Sequence, residues 1–158
     1  MNKRKILVSG ASGKIAGQIL PAFRERYTLI LLDVKTTNRA GEKVEGIQIA
    51  DLTDKNRDAY RHFFQGVDAV VHCGFVRNSN PRTKNDVDVR FWNEMKNVEM
   101  AYNVYQTALE EGVRRVVMAS SNHAAAYYEP LILDGKWDFV NPDDRALSNS
   151  PRFHKLLG

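Results

Sequence analysis

The stretch Lys5-Ile6-Leu7-Val8-Ser9-Gly10-Ala11-Ser12-Gly13-Lys14-Ile15-Ala16-Gly17 restricts the fold more than any other part of the chain. Ile6 to Val8 is a short apolar run of the kind that buried parallel strands show. Ile15, Ile19, Leu20 and Phe23 then recur at helical spacing. Strand, glycine turn and helix in that order is the setting in which a glycine pattern points to a dinucleotide site rather than an ordinary turn. Gly10 permits a tight turn that a Cβ would obstruct, and Gly13 lets the backbone come close to a pyrophosphate. Ala16 or Gly17 lets the helix lie near the sheet. The first-turn N–H groups and the positive helix end then face the phosphates.

The rest of the chain repeats the strand–helix alternation. A first helix is expected from Lys14 to Arg26, with Pro21 kinking or dividing it. Thr28 to Asp33 reads as a second strand. Asp33 falls roughly 20 residues past the glycine turn, where a carboxylate accepts a hydrogen bond from a ribose 2′-hydroxyl. That favours NAD over NADP, although Lys35 and Arg39 stand close enough in sequence to receive a 2′-phosphate. Thr36 to Glu45 is a polar loop, and Val44 to Ile49 alternates like a short third strand. Asp51 either receives an adenine amino group or, with Thr53, caps a helix over Asn56 to Gln65 that buries Tyr60, Phe63 and Phe64. Val67 to Gly74 is a fourth strand and its exit. A long helix follows from Val87 to Glu111, with Val89, Trp92, Met95, Val98, Ala101, Tyr102, Tyr105 and Leu109 as its packing positions. Arg114 to Ser121 is the fifth strand. From Glu129 on, Pro130, Gly135, Pro142 and Pro151 break up any regular pattern. The expected fold is α/β: a Rossmann-type three-layer domain over 1–128, strand order 3-2-1-4-5, with an irregular tail over 129–158.

Composition removes several function classes. With 23 Lys and Arg against 19 Asp and Glu, the charge is mildly basic and spread out, which argues against a nucleic-acid partner. The Lys3-Arg4-Lys5 trio reads as a solvated strand start. The single Cys73 excludes an internal disulfide, and it reads as a small buried residue rather than a nucleophile. His72 and Cys73 lack further ligands at useful spacing, so no metal is expected. The charged start and short apolar runs point to no secretory signal, no membrane span and a soluble cytoplasmic protein.

Together these residues resemble the extended short-chain dehydrogenase/reductase superfamily, of the NAD-dependent epimerase/dehydratase type, from Lys5 to Tyr128. Gly10 to Ala16 looks like its cofactor loop, Asp33 and Asp51-Leu52 like its ribose and adenine positions, and His72-Cys73-Gly74 like its fourth-strand exit. Asn97 to Val104 is similar to the helix that carries the family's structural or catalytic Asn, here Asn97. Ala119-Ser-Ser121-Asn122-His123 with Tyr127-Tyr128 resembles the uronate dehydrogenase branch. The resemblance implies NAD held by Gly10, Ser12, Gly13, Lys14, Ile15, Asp33, Asp51, Leu52, Cys73 and Gly74. It implies a small-molecule sugar acid as substrate, with Ser121 on its reacting oxygen and Asn122 in contact with it. The implied reaction moves a hydride from the anomeric carbon of a hexuronate to NAD, giving an aldarolactone. Family members often pair through the long helix and the Tyr-bearing helix; only the former is evident here, so the resemblance leaves a homodimer open.

One part of the family pattern is missing. The general base there is a Tyr, with a Lys four residues later that stabilises its phenolate. Ser148-Asn-Ser-Pro-Arg152 stands at that place, and no Tyr in the chain has a Lys at that offset. His123 reads as a local structural group and His154 as a tail residue, not as substitute bases. The chain therefore reads as truncated. Three expectations follow: a uronate-type dehydrogenase, a nucleotide-binding module or truncated product without catalysis, and an epimerase or dehydratase relative, which needs the same Tyr and Lys.

Overall fold

A computed structural model describes residues 3–77, 80, 82, 86–121 and 125–145. These fall into two compact units. The first takes in the described residues up to Val76 together with Glu99–Ala119; the second takes in those of Arg77–Val98 and those from Ser120 onward.

The first unit is built on a five-stranded sheet of β1 (Lys5–Ser9), β2 (Thr28–Asp33), β3 (Ile47–Ile49), β4 (Ala69–His72) and β5 (Val116–Met118). All pairings are parallel and the order is β3-β2-β1-β4-β5, as the sequence pattern leads one to expect. Parallel neighbours need crossover connections, and α1 (Lys14–Arg26) supplies the first. Successive side chains on a strand point to opposite faces, so β1 feeds two apolar layers. Ile6 and Val8 meet Leu31 and the α1 residues Ala16 and Leu20 on one side. Leu7 joins Leu32, Val70, Tyr60, Phe64, Met100, Val104 and Ala108 on the other. Burial on both faces is why β1 reads as an unbroken apolar run rather than an alternating one.

Several local expectations are corrected. Pro21 does not divide α1, which runs unbroken through it. Ala16, not Gly17, makes the close approach to the sheet: Ala16 is fully buried, whereas a Cβ on Gly17 would meet nothing within 4 Å. The third strand is confined to Ile47–Ile49, because the preceding segment folds back on itself: Val44 N–H donates to the Thr36 carbonyl, and Thr37 bridges Lys43. The helix expected over 56–65 is only α2 (Asp58–Arg61), continued by a 3-10 turn over His62–Phe64. Local Asx bonds hold the chain out of the helix before that point. Asp51 Oδ1 accepts from Thr53 N–H, and Asp54 Oδ1 accepts from Asn56 N–H. Asp51 and Thr53 thus do not cap α2, whose N-cap is Arg57. The fifth strand is trimmed to Val116–Met118.

α3 (Val87–Glu110) has the expected span but a different buried face. Val89, Trp92, Tyr102, Tyr105 and Leu109 are exposed, while Met100, Asn103, Val104, Thr107 and Ala108 are buried. The helix carries apolar residues all round, so periodicity alone could not choose its inner face. In the second unit Asp86 starts α3, its carboxylate accepting from Val89 N–H at 3.0 Å. A short helix, α4 (Tyr128–Leu133), interrupts the segment read as irregular. Tyr128 is buried there, with its ring 5.5 Å from that of Trp137 and its hydroxyl donating to the Arg145 carbonyl.

Candidate functional site

The candidate site begins where β1 ends. Gly10 has φ +66, and a Cβ built on it would lie 2.6 Å from both the Cys73 carbonyl carbon and the Gly74 nitrogen. Cys73 N–H donates to the Ser9 carbonyl at 3.0 Å, so the glycine turn rests directly on the exit of β4. Gly13 N–H closes the turn onto the Gly10 carbonyl at 2.9 Å, and Gly13 is also the N-cap of α1. Among the described residues no side chain caps that helix, and its first turn holds no acid. An α-helix leaves its first N–H groups without internal acceptors. At this end those groups belong to Lys14, Ile15 and Ala16, and the exposed Lys14 adds a positive charge. An anionic group fits such an end.

Asp33, at the end of β2, lies against this loop. Its Oδ2 accepts from both the backbone N–H and the hydroxyl of Ser12, each at 2.9 Å, and its Oδ1 accepts from Val34 N–H at 2.8 Å. The carboxylate is thereby fixed in orientation beside the turn. Asp51 and Leu52 follow β3 at the same end of the sheet. Asp51 is exposed and Leu52 buried. Asn103 of α3, itself buried, donates from Nδ2 to the Leu52 carbonyl at 3.0 Å and to the Asp54 carbonyl at 3.3 Å. Sequence reasoning gave Asn103 no such role, since the pairing spans two distant segments. It also missed the link between Ser9 and His72. These residues are cross-strand partners in the β1–β4 register, and Ser9 Oγ and His72 Nδ1 share a buried hydrogen bond of 2.6 Å. Burial lowers the His72 pKa to about 4, so the imidazole is neutral at ordinary pH. Burial likewise pushes the half-buried Cys73 thiol upward, which disfavours the thiolate. A Cβ on Gly74 would come 3.0 Å from His72 Cε1 and 3.4 Å from Met100 Sδ, so the β4 exit is packed closely.

The structure thus brings Gly10, Ser12, Gly13, Lys14, Ile15, Asp33, Cys73 and Gly74 to one end of the sheet of the first unit, with Asp51 and Leu52 at the same end beyond β3. An uncapped helix start for a pyrophosphate and a fixed carboxylate for a ribose together suit a dinucleotide. The expected substrate residues belong to the second unit or lie outside the described residues. Ser121 is exposed. Asn97 is buried, and its Nδ2 donates over 3.5 Å to the Asn93 carbonyl and over 3.4 Å to Glu94 Oε2. Asn122, His123, Ser148 and His154 are outside the described residues.

Comparison with known proteins agrees with this geometry. The model of the NAD dependent epimerase/dehydratase family matches residues 6–142. A uronate dehydrogenase of Pseudomonas syringae pv. tomato is 32% identical over 129 residues, covering 79% of this chain and 42% of that protein. An NAD-dependent glucose-6-phosphate dehydrogenase of Haloferax volcanii is 30% identical over 128 residues, 78% of this chain and 45% of its own length. The chain spans less than half the length of these relatives. Among solved structures, a uronate dehydrogenase from Agrobacterium tumefaciens superposes with a TM-score of 0.70 at 26% identity, over 99% of this chain and 52% of that one. A short-chain dehydrogenase/reductase superfamily protein from the same organism, with bound NAD, gives 0.68 at 29% identity, over 98% and 42%. A family match over most of the chain, on a Rossmann sheet whose glycine turn and β2 carboxylate meet, identifies the chain as a member of the NAD dependent epimerase/dehydratase family, whose cofactor is NAD.

Proposed function

We propose that this chain is an NAD-dependent oxidoreductase that oxidises a hexuronate at its anomeric carbon to an aldarolactone. The observation that supports this best is the conjunction of an uncapped α1 start with the Asp33 carboxylate fixed beside it. In this reading Gly10, Ser12, Gly13, Lys14 and Ile15 bound the pyrophosphate and Asp33 accepts a hydrogen bond from a ribose hydroxyl. Asp51 and Leu52 meet the adenine, and Cys73 and Gly74 line the β4 exit. When bound, NAD would accept the hydride; the hydroxyl proton would have to pass to a base other than the family's Tyr, since no Tyr with a Lys four residues later stands in the chain. Ser121 hydrogen-bonds the reacting sugar oxygen, Asn122 contacts the substrate and Asn97 supports the constellation. Along the sequence the proposed cofactor-binding part runs over 1–128, with 129–158 past it, and its cofactor-facing residues all lie in the first compact unit.

A second reading is favoured by one specific observation. The chain has no Tyr with a Lys four residues later, and a serine hydroxyl is not a base near neutral pH without a partner. In that reading the chain binds NAD and turns nothing over. Two measurements on the purified chain separate the cases. Nicotinamide fluorescence is titrated with NADH and then NADPH, and NADH production is followed from NAD over a panel of uronic acids. Saturable binding with turnover that is lost in Ser121→Ala supports the dehydrogenase. Binding without turnover at high protein concentration supports the module. No binding of either nucleotide sinks both.

A further inference from the structure

We infer that the Ser12 hydroxyl is a specificity-setting group: it holds the Asp33 carboxylate in place and thereby sets how strongly the site prefers NADH to NADPH. This rests on the dinucleotide reading of the site and deepens it. Ser12 is only 5% exposed, and its hydroxyl points back to Asp33 Oδ2 at 2.9 Å. It donates its one proton there, in the same sense as its own backbone N–H. Asp33 Oδ2 therefore carries two donors from one residue, while among the described residues Oδ1 carries only Val34 N–H and keeps room for a further donor. A ribose 2′-hydroxyl can donate to that remaining position. A 2′-phosphate cannot, and it meets a negative charge that the Ser12 hydroxyl prevents from turning aside.

Without the hydroxyl, the carboxylate keeps two backbone donors, from Ser12 and Val34. It can then rotate about its side-chain bonds to relieve the repulsion, and the exposed Lys35 and Arg39 can compensate the phosphate charge. The lost preorganisation weakens NADH and the relieved repulsion spares NADPH. Ser12 acts through Asp33 and is a positioning residue, so the informative readout is the ratio of the two affinities rather than either alone.

The test is the NADH and NADPH titration repeated on the full chain with Ser12→Ala, Ser12→Thr and Ser12→Cys. The native chain is expected to prefer NADH. Ser12→Ala should narrow that preference about tenfold, the scale of one hydrogen bond to a charged group, mainly through weaker NADH binding. Ser12→Thr restores a hydroxyl and should keep the native ratio. Ser12→Cys offers only a weak donor and should narrow the ratio as Ala does, so it decides the matter if the alanine variant does not fold. A native ratio in Ser12→Ala or Ser12→Cys, including equal weakening of both nucleotides, overturns the inference while leaving the NAD site intact. If the native chain binds neither nucleotide, the site reading fails and the inference fails with it.

Discussion

Replacing Gly10 with alanine gives the sharpest test of how the glycine turn is built. Two costs add. At φ +66 an L-residue with a Cβ sits in the left-handed region, at roughly 1–2 kcal/mol. The new Cβ would also lie 2.6 Å from the Cys73 carbonyl carbon, 2.6 Å from the Gly74 nitrogen and 2.7 Å from the Cys73 carbonyl oxygen. These are backbone atoms of β4's exit, held by the Cys73 N–H bond to Ser9 and unable to swing away as a side chain end would. Overpacking of this kind costs about 1–3 kcal/mol. The sum, about 2–5 kcal/mol, is a large share of the stability of an ordinary domain. At roughly 2–4 °C per kcal/mol for a chain of this size class, the melting temperature should drop by about 4–20 °C. Gly13→Ala is the control within the same turn. Its φ is −76, and its Cβ would meet the Gly10 carbonyl oxygen at 2.9 Å and otherwise only its carbon at 4.0 Å, so a smaller loss is expected. Gly17→Ala is the opposite control: its Cβ would enter open space in a helix interior, and the variant should gain about 0.5–1 kcal/mol. Urea denaturation of the three variants beside the native chain gives the order directly. A Gly10→Ala protein as stable as Gly17→Ala would refute the claim that the turn is pressed onto the exit of β4.

Three further outcomes follow from the structure. His72 has a folded pKa of about 4 against 6.5 when unfolded, so the unfolded chain binds the extra proton. Stability should be full above pH 6.5 and fall by up to about 3 kcal/mol as pH drops toward 4, and His72→Asn should flatten that slope in denaturation curves measured across the window. Asn103→Ala removes both donors to the Leu52 and Asp54 carbonyls and should cost about 1–3 kcal/mol, with weaker NADH binding in the same titration; unchanged stability would count against the anchoring role. Val104→Ala should destabilise by about 2 kcal/mol, whereas Leu109→Ala on the exposed face should stay within about 0.5 kcal/mol, and a reversed order would mean that α3 buries its other face.

The parts of the molecule that were legible in sequence share a physical trait: their signal is local. The glycine turn, the apolar run of β1 and the carboxylate at the end of β2 are each set by short-range requirements of backbone geometry and burial. Once the strand–helix alternation is granted, crossover rules leave few strand orders, and the observed one is among them. What escaped reading depends on register. Ser9 and His72 face each other only because β1 and β4 pair Ser9 with His72 and not with a neighbour. A slip of one residue would turn either side chain to the opposite face of the sheet. The inner face of α3 escaped for a related reason. Its aromatic residues suggested a packing stripe, yet Asn103 and Thr107 lie inward with Met100 and Val104, and Asn103 is there because two carbonyls of the β3–α2 connection need a donor. Burial of a polar side chain is decided by what the opposing backbone leaves unsatisfied, which no property of the helix itself records. The same holds at Ser12. Its place after Gly10 suggests the phosphate, but its hydroxyl turns to Asp33, a residue 21 positions away that the parallel pairing of β1 and β2 sets beside the turn. The cofactor loop and the carboxylate that would select the cofactor are therefore one hydrogen-bonded element, and substitution at either end is expected to be felt at the other.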